Sequence, residues 1–226
     1  MNLENVTYEN ELIVPITNLP ANPHDDLFEE VIKTSQFLPR IQLYGGNSGP
    51  VKKMLIPMAH YGLVRSSDNI EDLGSEVDFA PLAYRFKAME IADGEVTTYH
   101  DPKHAEFIRI QSQADVKDSG CMFGVEFILW LGEKQEFVSY FMNSKSARRV
   151  APTVKGLIGQ LGTLKVELVE TKKFSWHAPV VTICSTPFNL PAEDDMVKEV
   201  DKFQNPPVNT DEVATDGEKA ASERAR

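Results

Sequence analysis

Cationic and aromatic side chains alternate in three segments of this 226-residue chain. The segments are AYRFK (83–87), SYFMNSKSARR (139–149) and KKFSWH (172–177). Proteins that hold single-stranded nucleic acids place positive charge along the phosphate backbone and offer aromatic rings on which bases stack, each contributing about 1–3 kcal/mol. The three segments therefore predict a basic, aromatic-lined groove for single-stranded DNA or RNA, with DNA favoured and little dependence on base sequence.

The predicted contact residues are cations, which would neutralise phosphates, and rings, which would stack on bases. The predicted phosphate contacts are Arg85, Lys87, Lys145, Arg148, Arg149, Lys172 and Lys173. The rings considered for stacking are Tyr84, Tyr140, Phe141, Phe174 and Trp176. Tyr84 is the least favoured ring, because strand alternation places it on an apolar face, while Tyr140 and Phe141 point to opposite faces of one strand. Aromatic residues in strands usually lie in the core. The alternative interpretation is therefore that each of these rings is a core residue that does not contact the ligand.

The formal net charge of −11 is unevenly distributed along the chain. Residues 1–35 contain seven acidic residues and one lysine, and residues 189–226 contain ten acidic and five basic residues. Between these ends the charges balance, and residues 134–173 hold eight cations against three acids. The patch predicts attraction of an anionic ligand, and an acidic tail tethered beside it would compete with that ligand at high effective concentration.

Other chemistries find little support in the residue pattern. The turn YGGNSGPVKK (44–53) lacks the lysine that must directly follow the second glycine of a phosphate loop. His100 and His104 are four residues apart, which could suit a metal, but a helix cap with exposed histidines is the favoured interpretation. Cys121 and Cys184 lie in no paired or reactive motif. The sequence therefore predicts a protein that is not an enzyme and that needs no metal or cofactor.

The elements that would position these residues are mostly strands. Period-two alternation and turn residues predict about seven strands, and two segments have helical patterns. The predicted strands are 41–46, 54–64, 77–91, 123–131, 136–142, 163–171 and 178–186, and the predicted helices are 101–116, capped by Asp101, and 144–159. A mainly β fold, an OB-like barrel with one or two inserted helices, fits this order best, and an α+β sheet is the fallback.

Composition divides the chain into three parts. Residues 1–36 are predicted to be an acidic, partly disordered extension with one short helix, residues 37–188 the barrel, and residues 189–226 a flexible acidic tail. No apolar run approaches the roughly 20 residues of a membrane helix, and the first residues have no signal-peptide pattern. We therefore expect a cytoplasmic protein without a membrane partner; in a virus this would be the host cytoplasm.

The layout resembles that of bacteriophage single-stranded-DNA-binding proteins over residues 37–226. The resemblance rests on a compact body containing LGEKQEFVSYFMNSKSARR and TLKVELVETKKFSWHAPVVT, followed by a polar, acidic end. It implies an oligonucleotide-binding barrel without catalysis, acting in replication, recombination or repair, with a tail that can contact replication proteins. The alternative is a phage structural or assembly protein that can form an oligomer and whose β-rich body does not bind nucleic acid.

Overall fold

The computed structural model describes residues 38–66, 69–92 and 94–205. Predictions for residues 1–36 and for 206–226 therefore lie outside the described residues. Nine strands and four helices form within the described ranges. In chain order they are β1 Arg40–Leu43, α1 Gly49–Lys52, β2 Tyr61–Ser66, β3 Asn69–Gly74, β4 Glu76–Ala92, β5 Glu95–Tyr99, α2 Ala105–Gln113, β6 Cys121–Leu131, β7 Glu136–Met142, α3 Lys145–Gly156, β8 Gly162–Glu170, β9 Ser175–Ile183 and α4 Glu193–Gln204.

All nine strands belong to one mixed sheet: eight follow the order β3-β2-β1-β7-β6-β4-β8-β9, and β5 pairs with β4 outside this order. Only β1 and β7 pair in parallel among the described strands. The 17-residue strand β4 organises the sheet, because it pairs with β6 along one edge and with β8 and β5 at opposite ends of the other. The predicted mainly β fold is confirmed. Within the described residues no ladder joins β3 to β9, so closure into an OB-like barrel is not confirmed.

The main core lies on the face of the sheet that carries α3, which we call the inner face. Alternate residues of β6 and β7, such as Phe127, Leu129 and Tyr140, point into it. Helix α3 contributes Ala147, Ala151 and Val154, which share one side of the helix at spacings of three and four residues. Its first turn is capped by Ser144, whose hydroxyl accepts a hydrogen bond from the Ala147 amide. The predicted helix over 144–159 is thus confirmed, with Pro152 inside it.

Helix α4 covers part of the opposite, outer face of the sheet. Its buried residues Val200 and Phe203 pack with Leu82 and Trp130, among others. The prediction that residues from 189 onward form a flexible tail is therefore wrong for residues 193–204. The segment has few apolar residues of its own, and the sheet supplies the apolar surface that lets them become buried.

Several predicted boundaries also need correction. Strand β2 begins at Tyr61, because the first half of the predicted strand 54–64 is a loop with positive φ at Met54 and Ala59. Helix α2 begins at Ala105, because His104 is its cap, while Asp101 accepts a hydrogen bond from the Lys103 amide in the preceding turn. No helix within residues 38–66, 69–92 and 94–205 is long and apolar enough to cross a membrane.

Candidate nucleic-acid interface

Arg85 and Lys87 lie together on the outer face, and both bind Glu126 on the neighbouring strand β6. The Arg85 Nη2 to Glu126 Oε2 distance is 2.7 Å, and the Lys87 Nζ to Glu126 Oε1 distance is 2.6 Å. Glu126 is only 4% exposed. Arg85 also donates a hydrogen bond to the carbonyl of Phe203 at the end of α4. These two predicted phosphate contacts therefore hold the fold together, and Glu126 offsets one of their two positive charges.

The same cluster fixes the charge state of its carboxylate. Burial raises the pKa of Glu126, but the nearby charges of Lys87 and Arg85 outweigh burial and hold the pKa below its ordinary value. Lys87 also lies 5.1 Å above the ring of Phe141, which is half-buried. One face of that ring is therefore occupied by a cation of the protein itself.

Tyr140 is a core residue and cannot stack on a base. It is buried on the inner face and meets Tyr61 edge to face, with ring centroids 6.3 Å apart. Burial raises the pKa of both hydroxyl groups. Tyr84, the least favoured ring, also points to the inner face, where Lys155 lies 4.6 Å from its centroid. The strand alternation that disfavoured Tyr84 applies equally to Tyr140.

The cations at the start of α3 have different environments. Arg148 is mostly buried; it donates hydrogen bonds to the carbonyls of Phe123 and Asn143 and binds the carboxylate of Asp115 at 2.6 Å. The hydrogen bond from Arg148 lowers the pKa of Asp115. Lys145 is exposed and lies 3.6 Å from the same carboxylate. Arg149 is exposed and has no ion pair within the described ranges. Arg148 is thus structural, whereas Lys145 and Arg149 remain accessible to a ligand.

The hairpin of β8 and β9 projects beyond the end of β4. Only the first four residues of β8 pair with β4, where Lys165 faces Glu76, the first residue of that strand. The rest of β8 pairs only with β9, up to Glu170 opposite Ser175. We call residues 166–179 the hairpin arm. Hydrogen bonds between Thr171 and Phe174 close the turn. The Phe174 carbonyl accepts hydrogen bonds from the amide and the hydroxyl of Thr171, and the Phe174 amide donates one to the same hydroxyl.

The tip of the hairpin arm gathers four of the predicted contact residues. Phe174 is 70% exposed and Trp176 is 40% exposed. Lys172 and Lys173 are exposed in the turn, and neither has an ion-pair partner in the part of the chain that the structure describes. Strand β9 begins at Ser175, so Lys172, Lys173 and Phe174 do not lie in one strand with Trp176. The turn nevertheless brings two cations and two rings within five residues.

The two histidines that were weighed as metal ligands, His100 and His104, make structural hydrogen bonds. The Nδ1 atom of His100 lies 3.0 Å from the carbonyl oxygen of Phe86, and that of His104 accepts a hydrogen bond from the Glu106 amide. Burial, together with the charge of Arg85, lowers the pKa of His100. Among the described residues, no group of three or more His, Cys, Asp or Glu side chains is arranged to hold a metal ion.

Sequence reasoning missed the aliphatic side chains that accompany the tip. Leu168 is exposed opposite His177, and Ile183 is exposed at the base of the same hairpin. Their alternation with polar residues resembled that of an ordinary half-buried strand. Leu168 is exposed on the part of β8 that lies beyond β4, whereas Ile183 lies opposite Gly162 on β9, the last strand of the sheet.

The fold and the candidate site define a mainly β protein with a projecting hairpin whose tip is basic and aromatic. Comparison with protein-family models, with curated proteins and with solved structures gave no match.

Proposed function

We propose that the chain binds single-stranded DNA, without strong sequence preference, through the tip of the hairpin arm. The observation that carries this proposal is the joint exposure of Phe174 and Trp176 beside Lys172 and Lys173. Exposed large rings lose apolar hydration when a base stacks on them, and lysines without an internal partner can neutralise phosphates. Binding leaves the DNA chemically unchanged, and the proposed role is in replication, recombination or repair in the cytoplasm.

Arg149 and Lys145 form a second, weaker part of the proposed interface. Both are exposed near the start of α3, and that helix packs against β9, the outer strand of the hairpin. Lys145 shares Asp115 with Arg148, so its positive charge is partly offset. We therefore expect Arg149 to contribute more than Lys145 to phosphate binding. Arg85, Lys87, Arg148 and Tyr140 are excluded from the proposed interface by their internal contacts.

The proposal is tested by fluorescence-anisotropy titration of labelled oligothymidine with Trp176→Ala. Loss of one stacking ring should weaken binding about 5-fold to 150-fold, the equivalent of roughly 1–3 kcal/mol. Ile183→Ala is the matched control, because it removes a 70% exposed apolar side chain from the same hairpin but no ring. Equal affinities of the two variants would reject Trp176 as a stacking residue.

A second candidate function, assembly through protein contacts, is favoured by the exposed aliphatic residues Leu168 and Ile183. Aliphatic side chains do not stack on bases, and exposed apolar patches commonly mark protein interfaces. Size-exclusion chromatography with light scattering distinguishes the candidates. A defined oligomer that is indifferent to oligonucleotide favours assembly, whereas a species that changes mass only with oligonucleotide favours nucleic-acid binding.

A further inference from the structure

An exposed loop after α1 presents apolar side chains beside two lysines. Met54 is 93% exposed, Leu55 and Met58 are about half exposed, and Lys52 and Lys53 directly precede them. No acidic residue occurs from Tyr44 to Ala59. We call residues 52–58 the methionine loop. Its surface combines positive charge with flexible, polarizable apolar groups, which adapt to an apolar partner.

The methionine loop is held firmly in this arrangement. The amides of Met54 and Leu55 donate hydrogen bonds to the carbonyls of Val51 and Pro50. Ile56 is buried in a cluster with Tyr44, among others. Met54 has a φ of 56°, a left-handed conformation that non-glycine residues seldom adopt. Such conformations persist where the surrounding structure imposes them and often where a ligand or partner is bound.

A segment of complementary chemistry precedes the described part of the chain. Residues 25–32, DDLFEEVI, contain four acidic and four large apolar residues. We propose that residues 25–32 dock on the methionine loop of the same chain, with their carboxylates opposite Lys52 and Lys53. Charge complementarity selects this segment, because the loop is free of acids and the segment is free of cations. The inference is independent of nucleic-acid binding by the hairpin arm.

The chain length between the segment and the loop permits docking within one molecule. At the base of the methionine loop the Tyr44 amide donates a hydrogen bond to the carbonyl of His60, and the Tyr44 carbonyl accepts one from the Ala59 amide. The six steps from Leu38 to Tyr44, which include the strand β1, span about 20 Å at roughly 3.3 Å per residue. From residue 32 to Leu38 the chain can extend about 20 Å. The segment can therefore return past β1 to the loop.

Disulfide trapping in the full chain tests the proposal. Val31→Cys and Met54→Cys are combined in a Cys184→Ser background, since Cys121 is buried and Cys184 is partly exposed. Mild oxidation followed by non-reducing electrophoresis should give a cross-linked monomer. The control pairs Val31→Cys with Ile91→Cys, an exposed apolar site elsewhere on the sheet. Cross-linking no greater than the control would overturn the proposal, and a cross-linked dimer would overturn docking within one chain.

A charge exchange tests the chemistry in the trapping variant. Glu29→Lys with Glu30→Lys should reduce the rate of cross-linking at least several-fold, because the reversed charges repel Lys52 and Lys53. Adding Lys52→Glu and Lys53→Glu should restore the rate. If the reversed segment cross-links as fast as the original, or if the second reversal fails to restore it, the proposed charge pairing is wrong.

Discussion

Replacement of Glu126 by Gln should destabilise the protein strongly, because it removes the carboxylate that binds both Arg85 and Lys87. The two cationic side chains are only 21% and 18% exposed, so water replaces little of the lost interaction. Removing one partner of a buried ion pair typically lowers the unfolding free energy by about 3–5 kcal/mol. We expect the lower end of this range, because Gln keeps one oxygen that can accept a hydrogen bond. We expect a loss of about 3 kcal/mol in unfolding free energy, and a Tm lower by about 6–12 °C.

The same carboxylate predicts a specific dependence of stability on pH. The pKa of Glu126 in the folded protein lies below its ordinary value, since Lys87 and Arg85 outweigh the opposing effect of burial. Its stabilising contribution is therefore complete above the unfolded value of about 4.3 and is lost as pH falls through the lower folded pKa. The difference between the natural protein and Glu126→Gln should accordingly shrink in acid below about pH 4.

Urea unfolding followed by circular dichroism measures these differences. Glu71→Gln is the matched control, because Glu71 also binds two cations, Lys134 and Arg65, but its side chain is 41% exposed. Its loss should be below about 1 kcal/mol. Equal destabilisation by Glu126→Gln and Glu71→Gln at neutral pH would refute the reasoning about burial. A difference between the natural protein and Glu126→Gln that does not change with pH would refute the assignment of the pKa.

Three further substitutions test which side chains and which close backbone contacts stabilise the fold. Arg148→Ala should destabilise the protein by about 1–2 kcal/mol, because the hydrogen bonds from Arg148 to two backbone carbonyls are lost. Arg149→Ala should leave the urea midpoint nearly unchanged. Equal urea midpoints for the two variants would contradict this prediction. Gly62→Ala should cost about 1–3 kcal/mol, because an added Cβ would lie 2.6 Å from the ring of Tyr44, and a thermal melt equal to that of the natural protein would show that the site can relax.

The hairpin of β6 and β7 was predictable because two signals agreed. Both strands are rich in aromatic and β-branched residues, and the polar residues GEKQ lie between them. Helix α3 was predictable for a similar reason, since Ser144 caps a clear helical pattern. In contrast, β3 has the sequence NIEDLG, whose polar residues have low strand propensity, and its place comes from pairing with β2. Helix α4 was missed because its apolar partners are distant in sequence.

The candidate site was only partly predictable, because a sequence pattern does not say which face of a strand meets solvent. Trp176 and Tyr140 have similar surroundings in sequence, yet the first is exposed and the second is buried. The roles of Arg85 and Lys87 depend on register, which places Arg85 directly opposite Glu126. That pairing joins residues about 40 positions apart, and local charge counting could not reveal it. Of the predicted phosphate contacts, those that remain accessible are on the hairpin arm and at the start of α3.

The salt dependence of oligothymidine binding tests the central claim most directly. The full chain and the double variant Lys172→Ala with Lys173→Ala are titrated at about 50 and 200 mM salt. The natural protein should bind at low salt, and the slope of log K against log salt should be shallower in the variant by about 1.4, at roughly 0.7 per phosphate contact. Absence of binding at low salt, or equal slopes for the two proteins, would contradict the claim that the tip of the hairpin arm holds the DNA backbone.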